Sequence, residues 1–304
     1  MRQIIDMHTH FSTETGRISE DADRIGFAVE NKSIDDHLKA MDRLGITRAV
    51  LSCPTLKYLD DPEACTAYCR QVNDAGAAIV RSHPDRFRFA ATLPLPYVSA
   101  ALEESARAIG KLGACAVGMC SNYNGMYLGS GRLTSLFDLL DEKGCTVILH
   151  PAPPPVWPEE PITGKILPMF EFITDTTRTV LDLIDSGMLR SHPNVRIVVP
   201  HTGSCLPTAL DRYYGIMRSQ GKGQLAPLEQ IYYDLACDAY PHALPILLTM
   251  TDPSHIVYGT DFPAIPLPVL DNHMRQTLAH PAFEGCLDDV LWNNAQSLLI
   301  DQRI

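Results

Sequence analysis

The sequence predicts a (β/α)8 barrel, a TIM-type fold, formed by one domain over residues 1–304. Two features lead to this fold class. Eight short, almost wholly apolar runs are spaced along the chain, as parallel strands buried on both faces require. Between them lie segments with helical spacing of apolar residues, so strand and helix alternate throughout. An open doubly wound sheet is the competing architecture. No GxGxxG follows the first run, which removes support for its nucleotide-binding form.

The elements follow in order. The first strand is expected at 3–10 (QIIDMHTH). A helix at 33–45 opens on Ser33 as cap and closes on Gly45. The second strand, 47–53, leads to a helix over 62–82 with Pro62 in its first turn. The third strand is 87–94, and the helix over 99–113 ends at Gly113. The fourth strand is 114–120, followed by a helix at 134–144, and the fifth is 145–150. Directly after it comes the densest proline cluster, PAPPPVWPEEP (151–161), which fits a rigid loop over the barrel mouth. Helices at 168–187, 206–219, 241–250 and 268–279 alternate with strands at 195–201, 230–236 and 255–261, and a terminal helix is expected near 286–301.

Composition narrows the function classes. The chain is 45% hydrophobic and 20% charged, ordinary for a globular protein with a large core. Its net charge is −11 and no basic run stands out, which argues against a nucleic-acid partner. No apolar run approaches the roughly 18 residues of a membrane helix, and no signal peptide precedes the first strand. The nine cysteines include no CxxC pair and read as free thiols in a reducing compartment. The expected location is the cytoplasm.

In a (β/α)8 barrel the chemistry sits at the carboxyl ends of the strands. His8 and His10 close the first strand, His150 the fifth, His201 the sixth and Asp261 the eighth; Asp234 stands at the end of the seventh. On a strand, His8 and His10 would project together, whereas on a helix they would point about 200° apart. A closed barrel would bring all of these groups to one point. Imidazoles with a carboxylate suit Zn²⁺, Mn²⁺ or a related divalent ion. Asp6 shares the phase of His8 but lies deeper, where a hydrogen bond behind the ligands is expected of it. The remaining histidines, His37 among them, fall on helices or loop approaches and read as structural or solvated.

The stretches IDMHTH, VILHP, VVPHTG and YGTDFP, in this order and spacing, resemble the amidohydrolase superfamily. Within it they resemble the branch of aminocarboxymuconate-semialdehyde decarboxylase and the non-oxidative aromatic acid decarboxylases. SHPDRF, NYNGMYLG and WNNAQSLL extend the resemblance nearly end to end. It implies that His8, His10, His150 and Asp261 bind one divalent metal ion, Zn²⁺ first, with Mn²⁺ or Mg²⁺ as alternatives. It makes His201 the acid or base, sharing catalysis with Asp261. The fourth strand, ACAVGMC, lacks the lysine that binuclear members carbamylate, which implies a single ion.

Arg212, eleven positions after His201, resembles an arginine that reaches into the neighbouring subunit's site and holds the substrate carboxylate. That implies a homodimer or higher homo-oligomer. The TGSCLP stretch after His201 departs from the glycine-rich segment of the semialdehyde decarboxylase.

Two reactions are open to such a centre. The first is decarboxylation of a small aromatic or unsaturated carboxylic acid, the reading that the resemblance favours. The alternative is hydrolysis or hydration by activated water on an ester, lactone, amide or double bond. Tyr123, Tyr127 and Trp157, after the fourth and fifth strands, would supply an aromatic wall for the substrate.

Overall fold

The structure is a computed structural model that describes residues 2–13, 29–156, 166–221, 228–237 and 239–300. Its elements run β1 (Ile5–His10), α1 (Ile34–Leu44), β2 (Arg48–Ser52), α2 (Pro62–Ser82), β3 (Phe87–Thr92), α3 (Val98–Arg107) and β4 (Ala116–Cys120). A small hairpin follows, β5 (Asn122–Tyr123) and β6 (Met126–Tyr127), then α4 (Thr134–Glu142) and β7 (Thr146–His150). The chain continues through α5 (Glu171–Asp185), α6 (Met188–Ser191), β8 (Arg196–Val199), α7 (Leu206–Ser219), β9 (Ile231–Asp234), α8 (Ala243–Leu247), β10 (Ile256–Val257), α9 (Leu267–Ala279) and α10 (Asn294–Leu298).

Eight strands form one parallel sheet in the order β1-β2-β3-β4-β7-β8-β9-β10. The sheet closes through residues 258–262, which run beside β1 after the short ladder of β10. Met7 N–H donates to Tyr258 O, Asp261 N–H to His8 O and His10 N–H to Phe262 O, and Thr9 bridges Phe262 in parallel. This is the expected (β/α)8 barrel. The β5–β6 hairpin is an addition that the apolar pattern did not announce.

The local signals act as the residues dictate. Ser33 accepts from Asp36 N–H while Asp36 caps Ser33 in return, and Gly45 ends α1 in the left-handed conformation. Asp61 caps α2 ahead of Pro62. Some expected helices are shorter than their patterns. The one over 99–113 leaves α-geometry at Ala108 for a wider turn through Leu112. Among the described residues of the segments expected at 241–250 and 286–301, the α-helices are the short α8 and α10.

Side chains alternate between two cores. Ile5, Met7, Val50, Ala90, Ala116, Ile148, Val198 and Val257 fill the barrel, floored by Ala295, Leu298 and Leu299 from the carboxyl end of the chain. Phe87, Phe89, Val147, Leu149, Ile197 and Val199 belong to the larger core between strands and helices. Among the described residues, no helix is long and apolar enough to cross a membrane.

Candidate metal centre

His8 and His10 meet above the inner core, but simple alternation does not put them there. Ile5 and Met7 already face the barrel interior. The pairing of β1 with β2 slips between Asp6 and Thr9, a bulge that turns His8 inward as well. Asp6 anchors this irregularity. Its Oδ1 accepts from the backbone N–H groups of His8 and Thr260, both at 3.0 Å, and its Oδ2 accepts from Thr260 Oγ1 at 2.6 Å. Burial pushes its carboxyl up to about 7, partly opposed by the Thr260 hydroxyl.

The two imidazoles are oriented from behind. His8 Nδ1 lies 2.7 Å from Asp234 Oδ2. An ionised carboxylate only accepts, so Nδ1 carries the proton and Nε2 keeps its lone pair. His10 Nδ1 lies 3.0 Å from Ser52 Oγ, whose own proton goes to Thr9 O at 3.1 Å. Ser52 therefore accepts from Nδ1–H, and His10 Nε2 is likewise bare.

Those two Nε2 atoms are 3.1 Å apart. Asp261 Oδ1 stands 3.1 Å from His10 Nε2 and 3.6 Å from His8 Nε2. With both rings neutral, three electron-rich atoms face one another, and only a shared proton or a cation holds them at these distances. In water-poor surroundings they otherwise repel. The spacing matches the edge of a tetrahedral site, about 3.4 Å for bonds of 2.0–2.1 Å.

His150 and His201 complete the cluster. Ligand atoms of His8, His10 and His150 lie within 4.8 Å of one another, as do those of His8, His201 and Asp261. His201 Nε2 is buried without a hydrogen-bond partner among the described residues, with Asp261 Oδ2 3.7 Å away. Burial, with His10 and His8 nearby, drives His150 well below the ordinary histidine range. Burial opposes the charge on Asp261, yet the surrounding His10, His201 and His8 hold its carboxyl well below the usual carboxylate range. A neutral imidazole beside an anionic carboxylate is a donor set for a cation, and the residues present fit a divalent ion.

Backbone conformation marks the same place. His201, Thr202, Cys237 and Asp261 all have positive φ, at 57°, 54°, 63° and 59°. Such non-glycine residues cost on the order of 1–3 kcal/mol each and gather where function requires an unusual direction. Asp234 supports one of them and the residue before another. Its Oδ1 accepts from the backbone N–H groups of His201 (2.9 Å) and Ala236 (3.0 Å). A narrow void beside the centre is lined by His8, His10, His150, Ser52, Pro54 and Gly118 among others.

The structure thus gathers His8, His10, His150, His201 and Asp261, the five groups expected to converge. Tyr123 is placed elsewhere. It is 3% exposed in the outer core, and its hydroxyl accepts from Cys120 N–H at 3.0 Å, so it is packing rather than an open aromatic wall. Tyr127 donates its hydroxyl proton to Asp175 at 2.6 Å. Arg212 is exposed on α7. Trp157 lies outside the described residues.

Three supporting groups carried little signal. Asp234 and Ser52 stand at strand ends like the ligands, and that position was their only mark. Cys237, whose Sγ lies 3.3 Å from Asp261 Oδ2, sits in an irregular turn and had none.

Known proteins agree with this architecture. A sequence profile described as amidohydrolase matches residues 5–299. A 6-methylsalicylic acid decarboxylase from Aspergillus aculeatus is 29% identical over 284 residues, which cover 86% of this chain and 84% of the relative. The crystal structure of an amidohydrolase II superposes with a TM-score of 0.88 at 24% identity, covering 97% of this chain and 99% of that one. A dihydroxybenzoic acid decarboxylase from a Polaromonas species, solved with bound manganese and the inhibitor 2-nitroresorcinol, gives 0.80 at 21% identity, covering 98% and 97%.

Proposed function

Because the chain belongs to the amidohydrolase family, we propose that it is a metal-dependent, non-oxidative decarboxylase of aromatic acids, with 2-hydroxybenzoates as the substrate class. The observation that carries the metal centre is the triangle of His8 Nε2, His10 Nε2 and Asp261 Oδ1. The relative that acts on 6-methylsalicylic acid supports the reaction, and the dihydroxybenzoic acid decarboxylase supports the class of acid.

In this reading His8, His10, His150 and Asp261 hold one divalent ion. Three imidazoles favour Zn²⁺, with Mn²⁺ next; Mg²⁺ is less suited, since it prefers oxygen donors. The ion, when bound, supplies positive charge that orients and neutralises the acid's carboxylate and its neighbouring oxygen. Asp234 and Ser52 fix the ring orientations of His8 and His10.

His201 moves the proton. Burial disfavours its charged form, while Asp261 and Cys237 beside it favour the protonated ring. That places a proton on the side chain an acid would use. His201 delivers a proton to the ring carbon that bears the carboxylate, and ring π electrons form the new C–H bond. The electrons of the C–C bond return to the ring as CO₂ departs, which restores aromaticity and leaves the decarboxylated phenol; His201 regains its proton from water.

Arg212 is assigned to the substrate carboxylate in a partner subunit's site, which makes the working unit at least a homodimer. All nine cysteines are free and six are buried, which supports a reducing compartment, the cytoplasm.

The test is product analysis on carboxyl-labelled 2-hydroxybenzoates. Labelled CO₂ should appear in step with the phenol. Incorporation of water oxygen into product with no CO₂ would replace this reading with hydrolysis or hydration.

A further inference from the structure

We propose that Asp175, on α5 and remote in sequence from every strand end, is a positioning residue that sets His150 against the rest of the metal centre. The proposal rests on the reading of His150 as a ligand.

Asp175 is fully buried, and a buried carboxylate is costly unless every lone pair is engaged. Here four donors surround it. Oδ2 accepts from Ser121 Oγ at 2.5 Å and Asn122 Nδ2 at 2.8 Å; Oδ1 accepts from Tyr127 Oη at 2.6 Å and Arg178 Nη1 at 2.9 Å. An apolar residue of similar size would fill the space without that cost. What the carboxylate adds is direction to two side chains.

Those side chains grip the segment that carries His150. Ser121 N–H donates to His150 O at 2.8 Å. Ser121 Oγ, its proton committed to Asp175, accepts from Ala152 N–H at 2.9 Å. The second proton of Asn122 Nδ2 goes to Pro153 O at 3.0 Å. His150 is thus held on its carboxyl side at three points, all from residues aligned by one carboxylate. By contrast with His8 and His10, no side chain among the described residues orients the His150 ring from behind, which gives the backbone grip its weight. Farther along α5, Thr179 Oγ1 donates to Ser121 O, and Thr177 Oγ1 accepts from Cys205 N–H at 3.0 Å in the loop after His201. The buried polar face of α5 therefore braces both loops of the centre.

The test measures Zn²⁺ affinity by chelator competition on the purified chain and on Asp175→Asn, Ser121→Ala, their double variant and His150→Ala, alongside thermal unfolding of each without metal. Asp175→Asn preserves shape but replaces one acceptor with a donor. Ser121→Ala cuts the link to Ala152 without altering charge. Each single variant should lose about 10–100-fold in affinity, as loss of a ligand's supporting hydrogen bonds typically does. The double variant should lose no more than the worse single, because both act through one path. Affinity within about twofold of the parent in Ser121→Ala, or losses that simply add, would overturn the proposal. If His150→Ala itself binds Zn²⁺ normally, the ligand assignment fails instead, a result distinct from failure of the positioning role. Should Asp175→Asn not fold, Ser121→Ala carries the test alone.

Discussion

His8 Nδ1 and Asp234 Oδ2 meet at 2.7 Å, with both side chains at most 1% exposed. One carboxylate thereby fixes the tautomer of His8 and, through its other oxygen, the backbone of His201. Asp234→Asn keeps the volume but can no longer take protons on both sides. Divalent metal affinity should fall about 10–100-fold. Isothermal titration with Zn²⁺ checks it; unchanged affinity would remove Asp234 from the centre.

Gly259 lies just after β10, where the chain passes the His8–Asp234 pair. A Cβ at this position would come within 2.9 Å of His8 Cβ and 3.3 Å of Asp234 Cβ. Neither is the free end of a flexible side chain, so the strands would have to separate. Gly259→Ala should cost about 1–3 kcal/mol of stability, as overpacking does, and should weaken metal binding as well. Chemical denaturation and metal titration on the same variant read both effects.

His201→Asn separates proton transfer from metal binding. If His201 is the acid, CO₂ release should drop about 10²–10⁴-fold, the usual worth of a positioned acid or base. Bound metal should stay near the parent's level. Loss of the metal itself would show His201 to be a ligand.

His37, on α1, gives a pH dependence. Burial drives its pKa down to about 4 from 6.5, helped by His10. Its ring packs edge-on against Phe262 at 4.9 Å. A histidine buried neutral stabilises the fold fully above pH 6.5. The unfolded chain protonates first as pH falls, so that stability is lost between pH 6.5 and about 4. The loss is on the order of 3 kcal/mol. His37→Phe should flatten the denaturation midpoint over this window; an unaltered acid limb would assign the loss to other groups.

Arg212 is tested by mixing. Arg212→Ala and His8→Ala chains, each inactive alone, should regain activity at one site in hybrid dimers if the arginine serves the partner's centre. Proven hybrids with no recovery would end that assignment.

Much of this was legible in the chain, for physical reasons. Apolar runs buried on both faces and capped helices are local signals, so Ser33, Gly45 and Pro62 place their helix ends as expected. Strand-end position marked His8, His10, His150, His201 and Asp261. Strict alternation does not describe β1, because the slip between Asp6 and Thr9 depends on hydrogen bonds to Thr260, which lies 254 positions away from Asp6. Cys237 and Asp175 were equally invisible. One lies in an irregular turn and the other on a helix face that reads as ordinary polar sequence. Tyr123 looked like a mouth residue, but its hydroxyl is satisfied by Cys120 N–H, which lets the ring sink into the core.

The central claim is tested most directly by the metal content of the chain set against that of Asp261→Ala. Elemental analysis should find about one divalent ion per parent chain and almost none in the variant, with CO₂ release following the ion. Full turnover from chains stripped of metal, or an undiminished ion in Asp261→Ala, would contradict it.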